Sequence, residues 1–398
     1  LITAVLSARK RTNTGDLRAG LTLNGRSLLV WQAETVRKLG CQRFICLHEH
    51  ADEGVAQLRE HVEVLGGEFH AVRTHAQLIA QLHSDDLLIV MADGLVANDD
   101  ICGELLTSPA GTSKGILTVP ADHELARSLP EDFERIDATR NWAGIAVLQA
   151  TIAQRLGELP PDGEFLSLLL RIALQARTPM VPLPVEQLDT VDWLMATSAS
   201  AVDAHQRGII EKHSPKANWT APFDALASQI VQKAASFGLA RGGMALVAGG
   251  AALLGVAGVI AWNELAGAAL IVAALATFLF SLGARWERLK SAILASQNEH
   301  SKPHIIRVLC SIATTALLIL AVSQEAGRLA LLALPVLAIG LTTLASKDSR
   351  PLVSAFWEDR TLNLAFLAIC AFGGLLTEGL AILSLAALSQ VMLRTARD

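Results

Sequence analysis

Two groups of residues have the types and spacing to do chemistry. The first is Ser7-Ala8, the basic run Arg9-Lys10-Arg11 with Arg18 beyond it, and the tripeptide Ala92-Asp93-Gly94. Each part follows a short apolar run of strand length. A basic loop placed there can hold a triphosphate through its side chains, or can face anionic lipid. The second group is Arg285, Arg288 and Lys290, just past a long apolar segment. Those cations can hold a lipid phosphate or set the topology of a membrane protein. Other candidates are thinner. His48 and His50 alternate at a strand end without a third ligand nearby, which fits surface histidines better than a metal. Asp85-Asp86 and Asp99-Asp100 read as turn and cap residues. No Ser-His-Asp or Cys-His arrangement stands out.

The elements that must position the first group alternate. Apolar runs at 1–7, 43–47, 68–72 and 86–91 have the length and composition of buried strands. Helical periodicity falls between them at 27–39, 52–65 and 75–82, with Gly40 and Gly66-Gly67 as stops. Further strands are expected at 115–119, 134–136, 144–148 and 180–185, and a helix at 163–175. Strand alternating with helix predicts a parallel sheet covered on both faces, a three-layer α/β domain. Ligands in such sheets bind outside the carboxyl ends of the strands, where Ser7-Ala8 and Ala92-Asp93-Gly94 lie.

The second group belongs to a different solvent. Apolar stretches of spanning length occur at 238–261, 265–284, 305–323 and 327–345. A longer one at 362–393 is interrupted at Gly373-Gly374 and at Thr377-Glu378-Gly379. A hydrocarbon core of roughly 30 Å takes about 20 residues per helix, so about six spans fit. Lys and Arg concentrate in the loops after the second and fourth spans and in the tail. That bias predicts a multi-pass protein of the inner membrane with both termini cytoplasmic. Trp262, Trp286 and Trp357 fall at the expected interfaces. The helix at 223–235 is amphipathic and is expected along the cytoplasmic face or on the soluble domain.

Composition agrees with this division. The chain has 398 residues, 52% of them hydrophobic, and a net charge of −5. That charge gives no electrostatic case for nucleic acid. The five cysteines form no C-x-x-C pair, which points to a reduced setting without a zinc site. The opening run carries no basic stretch and cleavage site, so no signal peptide is expected. Three segments follow: 1–205 as a cytoplasmic α/β domain, 206–236 as linker and interfacial helix, and 237–398 as the membrane domain.

The first segment carries a resemblance. Leu6-Ser7-Ala8, Arg18, and Leu21-Thr22-Leu23-Asn24-Gly25-Arg26-Ser27-Leu28-Leu29 resemble the opening of the sugar-nucleotide and inositol-phosphate nucleotidyltransferases. Asn141-Trp142-Ala143-Gly144-Ile145-Ala146-Val147 and Leu188-Asp189-Thr190 resemble later segments of that family. The resemblance implies a GT-A/Rossmann-like fold in which a polyol phosphate attacks the α-phosphate of a nucleoside triphosphate. It implies nucleotide contacts from Ser7, Ala8, Arg9, Arg11 and Arg18, with Mg²⁺ on Asp93 and Asp189 and Asp192 as second choice. Asp93 has the plainer role of a turn residue before Gly94, and Asp189 that of a helix cap. The family's phosphate loop is glycine-rich. The stretch 9–15 here has only Gly15.

The membrane segment resembles the CDP-alcohol phosphatidyltransferases, an all-α six-helix architecture. Ala221-Pro222-Phe223-Asp224, Glu358-Asp359-Arg360 and the Ala284-Arg285-Trp286-Glu287-Arg288 stretch carry the likeness. Phe280 and Gly283 stand where that family carries metal-binding aspartates, and downstream only Glu299 offers a carboxylate. Two divalent ions beside a pyrophosphate need several hard oxygen ligands. Phosphatidyltransferase activity is therefore not expected. The domain order resembles the fusion of an inositol-phosphate cytidylyltransferase with such a transferase. Two functions follow: a diverged enzyme of phospholipid-headgroup synthesis that binds a nucleotide or transfers a cytidylyl group to a polyol phosphate, or a pseudoenzyme serving as membrane scaffold or subunit of a complex. The partners expected are membrane lipids, a nucleoside triphosphate with a polyol phosphate, and a second copy through the membrane helices. The loop from Arg9 to Arg18 discriminates. A phosphate cradle facing Asp93 and Asp189 favours binding, and basic side chains filling the cleft favour the scaffold.

Overall fold

The structure is a computed structural model. It describes the chain except residues 50–51, 109–110, 159–163, 186–191, 215–217, 236–241, 295–301, 327–332, 348–349 and 396–398. The chain divides into two compact units, 1–208 and 209–398.

The first unit is built on a seven-stranded sheet. Its strands are β1 (Ile2–Ala8), β2 (Arg43–His48), β3 (Glu68–Val72), β4 (Leu87–Met91), β5 (Gly115–Pro120), β6 (Arg140–Gln149) and β7 (Met180–Pro182). They lie in the order β7-β5-β6-β4-β1-β2-β3. β1, β2 and β4 read as near-continuous apolar runs because both faces of the sheet are covered. Leu6, Ile45 and Ile89 are fully buried in its core. Helices α1 (Leu28–Lys38) and α2 (Glu53–Val64) make two of the crossovers.

Two sequence expectations are corrected here. The sheet is mixed, because β6 runs antiparallel to both β4 and β5. Alternation of apolar residues does not encode strand direction. Residues 134–136 are not a strand. The Asp137 carboxylate accepts from the amides of Thr139 and Arg140, at 2.8 and 2.9 Å, and turns the chain there. Only an isolated bridge between Arg135 and Asn141 remains.

The second unit is helical: α3 (Pro222–Ala235), α4 (Gly242–Trp262), α5 (Ala266–Leu294), α6 (Lys302–Ala326), α7 (Ala333–Ala345), α8 (Pro351–Glu358), α9 (Arg360–Phe372) and α10 (Leu376–Thr395). Among the described residues three helices, α4, α5 and α10, are long and apolar enough to cross a membrane. Shorter apolar helices lie in α6, α7 and α9.

Several boundaries differ from expectation. α5 runs on through Arg285, Arg288 and Lys290, which therefore stand on a helix and not in a loop. No Gly or Pro follows Gly283 to stop it, and Glu287 pairs with Lys290 one turn on. The last apolar stretch breaks once, at Gly373-Gly374, where Gly374 takes a φ of 70° that favours glycine. Thr377-Glu378-Gly379 lies inside the first turns of α10. Of the three tryptophans expected at interfaces, Trp286 and Trp357 are buried and Trp262 is exposed.

α3 is held within this unit. Asp224 pairs with Arg285 at 2.8 Å, and Ser228 accepts from the same guanidinium at 2.6 Å. Asp359 caps two helices at once. Its Oδ1 accepts from Leu362 N at 3.0 Å in α9, and its Oδ2 accepts from Phe223 N at 3.0 Å in α3. A buried carboxylate at two helix N-termini satisfies donors that have no intrahelical partner.

Candidate functional site

In the α/β unit, β1 and β4 are parallel neighbours with Val5 opposite Val90. That register brings the loop leaving Ala8 beside Asp93, so the sequence-predicted residues Ser7, Arg9 and Asp93 do meet. Gly94 follows with a φ of 77°, and a Cβ there would lie 2.9 Å from the Ala196 carbonyl. Only glycine fits this close approach.

The loop donates to the carboxylate. Asp93 Oδ2 accepts from Arg9 N and Lys10 N, each at 2.7 Å, and from Ser7 Oγ at 3.3 Å. Asp93 is 1% exposed, and its other oxygen, Oδ1, finds no partner among the described residues. Burial pushes this carboxyl up to about 6. The amides of Lys10 and Arg9, the Ser7 hydroxyl and the charge of Arg18 pull it back down.

The cations are engaged as well. Arg18 donates to Asp132 Oδ1 at 2.6 Å, and the Lys10 ammonium reaches the same oxygen at 3.3 Å. Arg9 pairs with Glu49 at 3.0 Å. Arg11 donates to the Gly15 carbonyl at 2.8 Å, and Arg18 Nε donates to the Arg11 carbonyl at 3.2 Å. Lys10, Asp93 and Asp132 line a cleft of about 150 Å³, together with Glu131, Glu134 and Glu164. Its wall carries more acidic than basic groups.

The remaining candidates separate. Asp189 lies outside the described residues, as do His50 and Glu299. Asp192 accepts from Asn98 Nδ2 at 2.8 Å, while Asn98 caps the helix Asp99–Leu106. Asp86 sits near the Leu1 amino group at 3.6 Å, and Asp99 pairs with Lys38. Among the described residues no three carboxylate, imidazole or thiol groups converge as a metal site. The loop bonds occupy only Oδ2 of Asp93, so Oδ1 is the one oxygen it could offer to Mg²⁺. Among the described residues that single oxygen is a poor donor set for Mg²⁺, which takes several hard oxygens.

Sequence reasoning missed Asp132 as a site residue. It lies in an acidic turn, Pro130-Glu131-Asp132, that has the look of any exposed loop. Its partners are more than 100 residues away in sequence, so no local pattern marks it.

The helical unit holds a cavity of about 290 Å³. Arg285 and Arg288 line it from α5, Lys347 from the end of α7 and Arg360 from the start of α9. Lys290 is not in its wall and pairs with Glu287 at 3.8 Å. Three acids stand in the wall against these four cations: Asp224 is paired with Arg285, Asp359 is spent on two helix caps, and Glu358 is the third. Phe280 lines the cavity. Gly283 does not, and faces α4, where a Cβ would stand 2.7 Å from Val247 Cγ2. Such a lining suits an anion better than a divalent ion. Neither Lys347 nor Arg360 is among the phosphate-holding residues expected from sequence; Arg360 enters there only through the Glu358-Asp359-Arg360 likeness.

No family model matches this chain, and no curated protein matches it. Among solved structures, the inositol-1-phosphate CTP transferase from T. maritima is similar over 52% of this chain and 96% of that one, at 10% identity and a TM-score of 0.36.

Proposed function

We propose that this chain keeps the architecture of a cytidylyltransferase joined to a CDP-alcohol phosphatidyltransferase without their catalysis. It sits in the cytoplasmic membrane with both termini on the cytoplasmic side, and works there as a scaffold or subunit for a partner. The observation that carries the reading is the Asp93 carboxylate. Its Oδ2 accepts from the loop amides that would cradle a phosphate, and among the described residues no cluster of metal-holding side chains gathers with its Oδ1. That side chain thus withholds the amides that phosphate binding in nucleotidyl transfer requires. The membrane unit supports the same reading, because α5 brings no carboxylate to the cavity.

The test is equilibrium binding of CTP, UTP, GTP and ATP to the full chain in detergent, with and without Mg²⁺. No saturable binding is expected for any of the four. Micromolar binding of one base, lost without Mg²⁺ and in Asp93→Ala, would return the chain to the enzymes.

A further inference from the structure

The loop after β1 carries two kinds of anion-seeking donor, and each kind is met by a carboxylate from elsewhere in the same unit. The amides of Arg9 and Lys10 converge on Asp93 Oδ2. The side chains of Lys10 and Arg18 converge on one oxygen, Asp132 Oδ1. Two cations meeting at a single oxygen is how a phosphoryl oxygen is held. Asp132 is 8% exposed and Arg18 is largely withdrawn from water, so this is not a loose surface pair.

The turn that delivers Asp132 is built to stay in place. Its own amide donates to the Leu129 carbonyl at 3.1 Å. The next residue, Phe133, is 1% exposed, and its carbonyl accepts from Asn141 Nδ2 at 2.8 Å. Asp132 is the one carboxylate that both cations contact, although other acids, Asp93, Glu131 and Glu134, line the cleft beside it. A second acid, Glu164, stands 3.7 Å from Lys10 but is an exposed residue.

We propose that Asp132 is an intramolecular counter-anion closing a phosphate-binding site formed by Lys10 and Arg18, and that a phosphorylated ligand binds this cleft only by exchanging with it. The proposal rests on the reading that the loop's anion donors are already occupied, and it adds what would free them. In the resting chain the site is self-inhibited. A partner or ligand that draws the Leu129–Phe133 turn away would expose two cations beside a cleft of about 150 Å³. The exchange forms and breaks only ion pairs and hydrogen bonds.

The test uses inorganic pyrophosphate and the full chain in detergent. Asp132→Asn keeps the shape and an oxygen acceptor but removes the charge that Lys10 and Arg18 share, leaving Glu164 near Lys10 and Asp93 near Arg18. Taking the paired charge from the largely buried Arg18 is costly, and an added anion relieves that cost. Pyrophosphate affinity is expected to rise about tenfold or more over wild type, with a matching rise in melting temperature. The gain should vanish in Asp132→Asn combined with Arg18→Gln. A cooperatively melting Asp132→Asn that binds pyrophosphate no better than wild type overturns the proposal, and leaves the non-catalytic reading standing. Should Asp132→Asn not fold, wild type carries the test through acylation of Lys10. Concentrated pyrophosphate should protect Lys10 and not Lys38, and absence of protection overturns the proposal equally. Tight nucleotide binding by wild type would instead sink the non-catalytic reading first.

Discussion

Asp93→Ala is expected to loosen the loop from Arg9 to Arg18, while Asp93→Asn leaves it in place and stabilises the protein at neutral pH. Alanine strips the acceptor from two backbone amides and the Ser7 hydroxyl. Unpaired donors of this kind cost roughly 1–3 kcal/mol each where they are buried, so a loss of about 2–4 kcal/mol is expected. Asparagine keeps an oxygen for the amides and removes the buried charge. The sign of the pH effect follows from proton binding. The folded carboxyl titrates at about 6 against 3.8 for the free group, so the folded state binds the proton more tightly between those values. Stability from this residue therefore falls as pH rises from about 4 to about 6 and is flat above. The advantage of Asp93→Asn should be near zero at the acid end and reach up to about 3 kcal/mol at neutral pH. Melting curves of the full chain across that range, with hydrogen exchange at residues 9–18, measure both effects. A destabilising Asp93→Asn at neutral pH, or a loop unchanged in Asp93→Ala, would contradict the account of this carboxylate.

Restoring aspartates to α5 should separate two positions that sequence alone treats as equivalent. Gly283→Asp is expected to be the more damaging. Its Cβ would meet Val247 at 2.7 Å and the Gly243 carbonyl at 3.2 Å, so α4 must move. Overpacking of that kind costs roughly 1–3 kcal/mol, and a carboxylate caught between two apolar helices adds about 2.5–3.5 kcal/mol. Phe280→Asp enters the cavity, where Arg285, Arg288, Lys347 and Arg360 stand around it. It loses ring contacts, including those against Gly250, but gains cations, and should cost less. The fraction of each variant surviving detergent extraction as a monodisperse species, with its melting temperature, reads the order. Equal tolerance of both would mean that Gly283 is not packed as described.

Much of the fold could be read from residue patterns. Apolar runs marked β1, β2 and β4, Gly40 marked the end of α1, and Gly373-Gly374 marked the break before α10. What failed had physical reasons. The antiparallel sense of β6 is fixed by its neighbours β4 and β5, not by its own residues. The extension of α5 past Gly283 depends on charged residues that are good helix formers and carry no stop signal. Burial of Trp286 follows from Gly242 on α4, where a Cβ would overlap the indole. At the candidate site, the meeting of Ser7, Arg9 and Asp93 was legible, because adjacent parallel strands bring their carboxyl ends together. The direction of the bonds was not. Whether a loop amide faces a ligand or a carboxylate depends on a few ångströms of path that glycine-poor residues 9–15 leave unstated. Asp132 was illegible altogether, since its role exists only across the folded sheet.

The central claim is that Asp93 holds its own loop and not a metal ion. Titration of Mn²⁺ into the full chain in detergent, followed by the electron paramagnetic resonance of the free ion, tests it most directly. With CTP present, the free signal should fall only as far as CTP alone lowers it. A further, protein-dependent loss of free Mn²⁺ that Asp93→Asn abolishes would show the carboxylate released to a metal, and the non-catalytic account would be wrong.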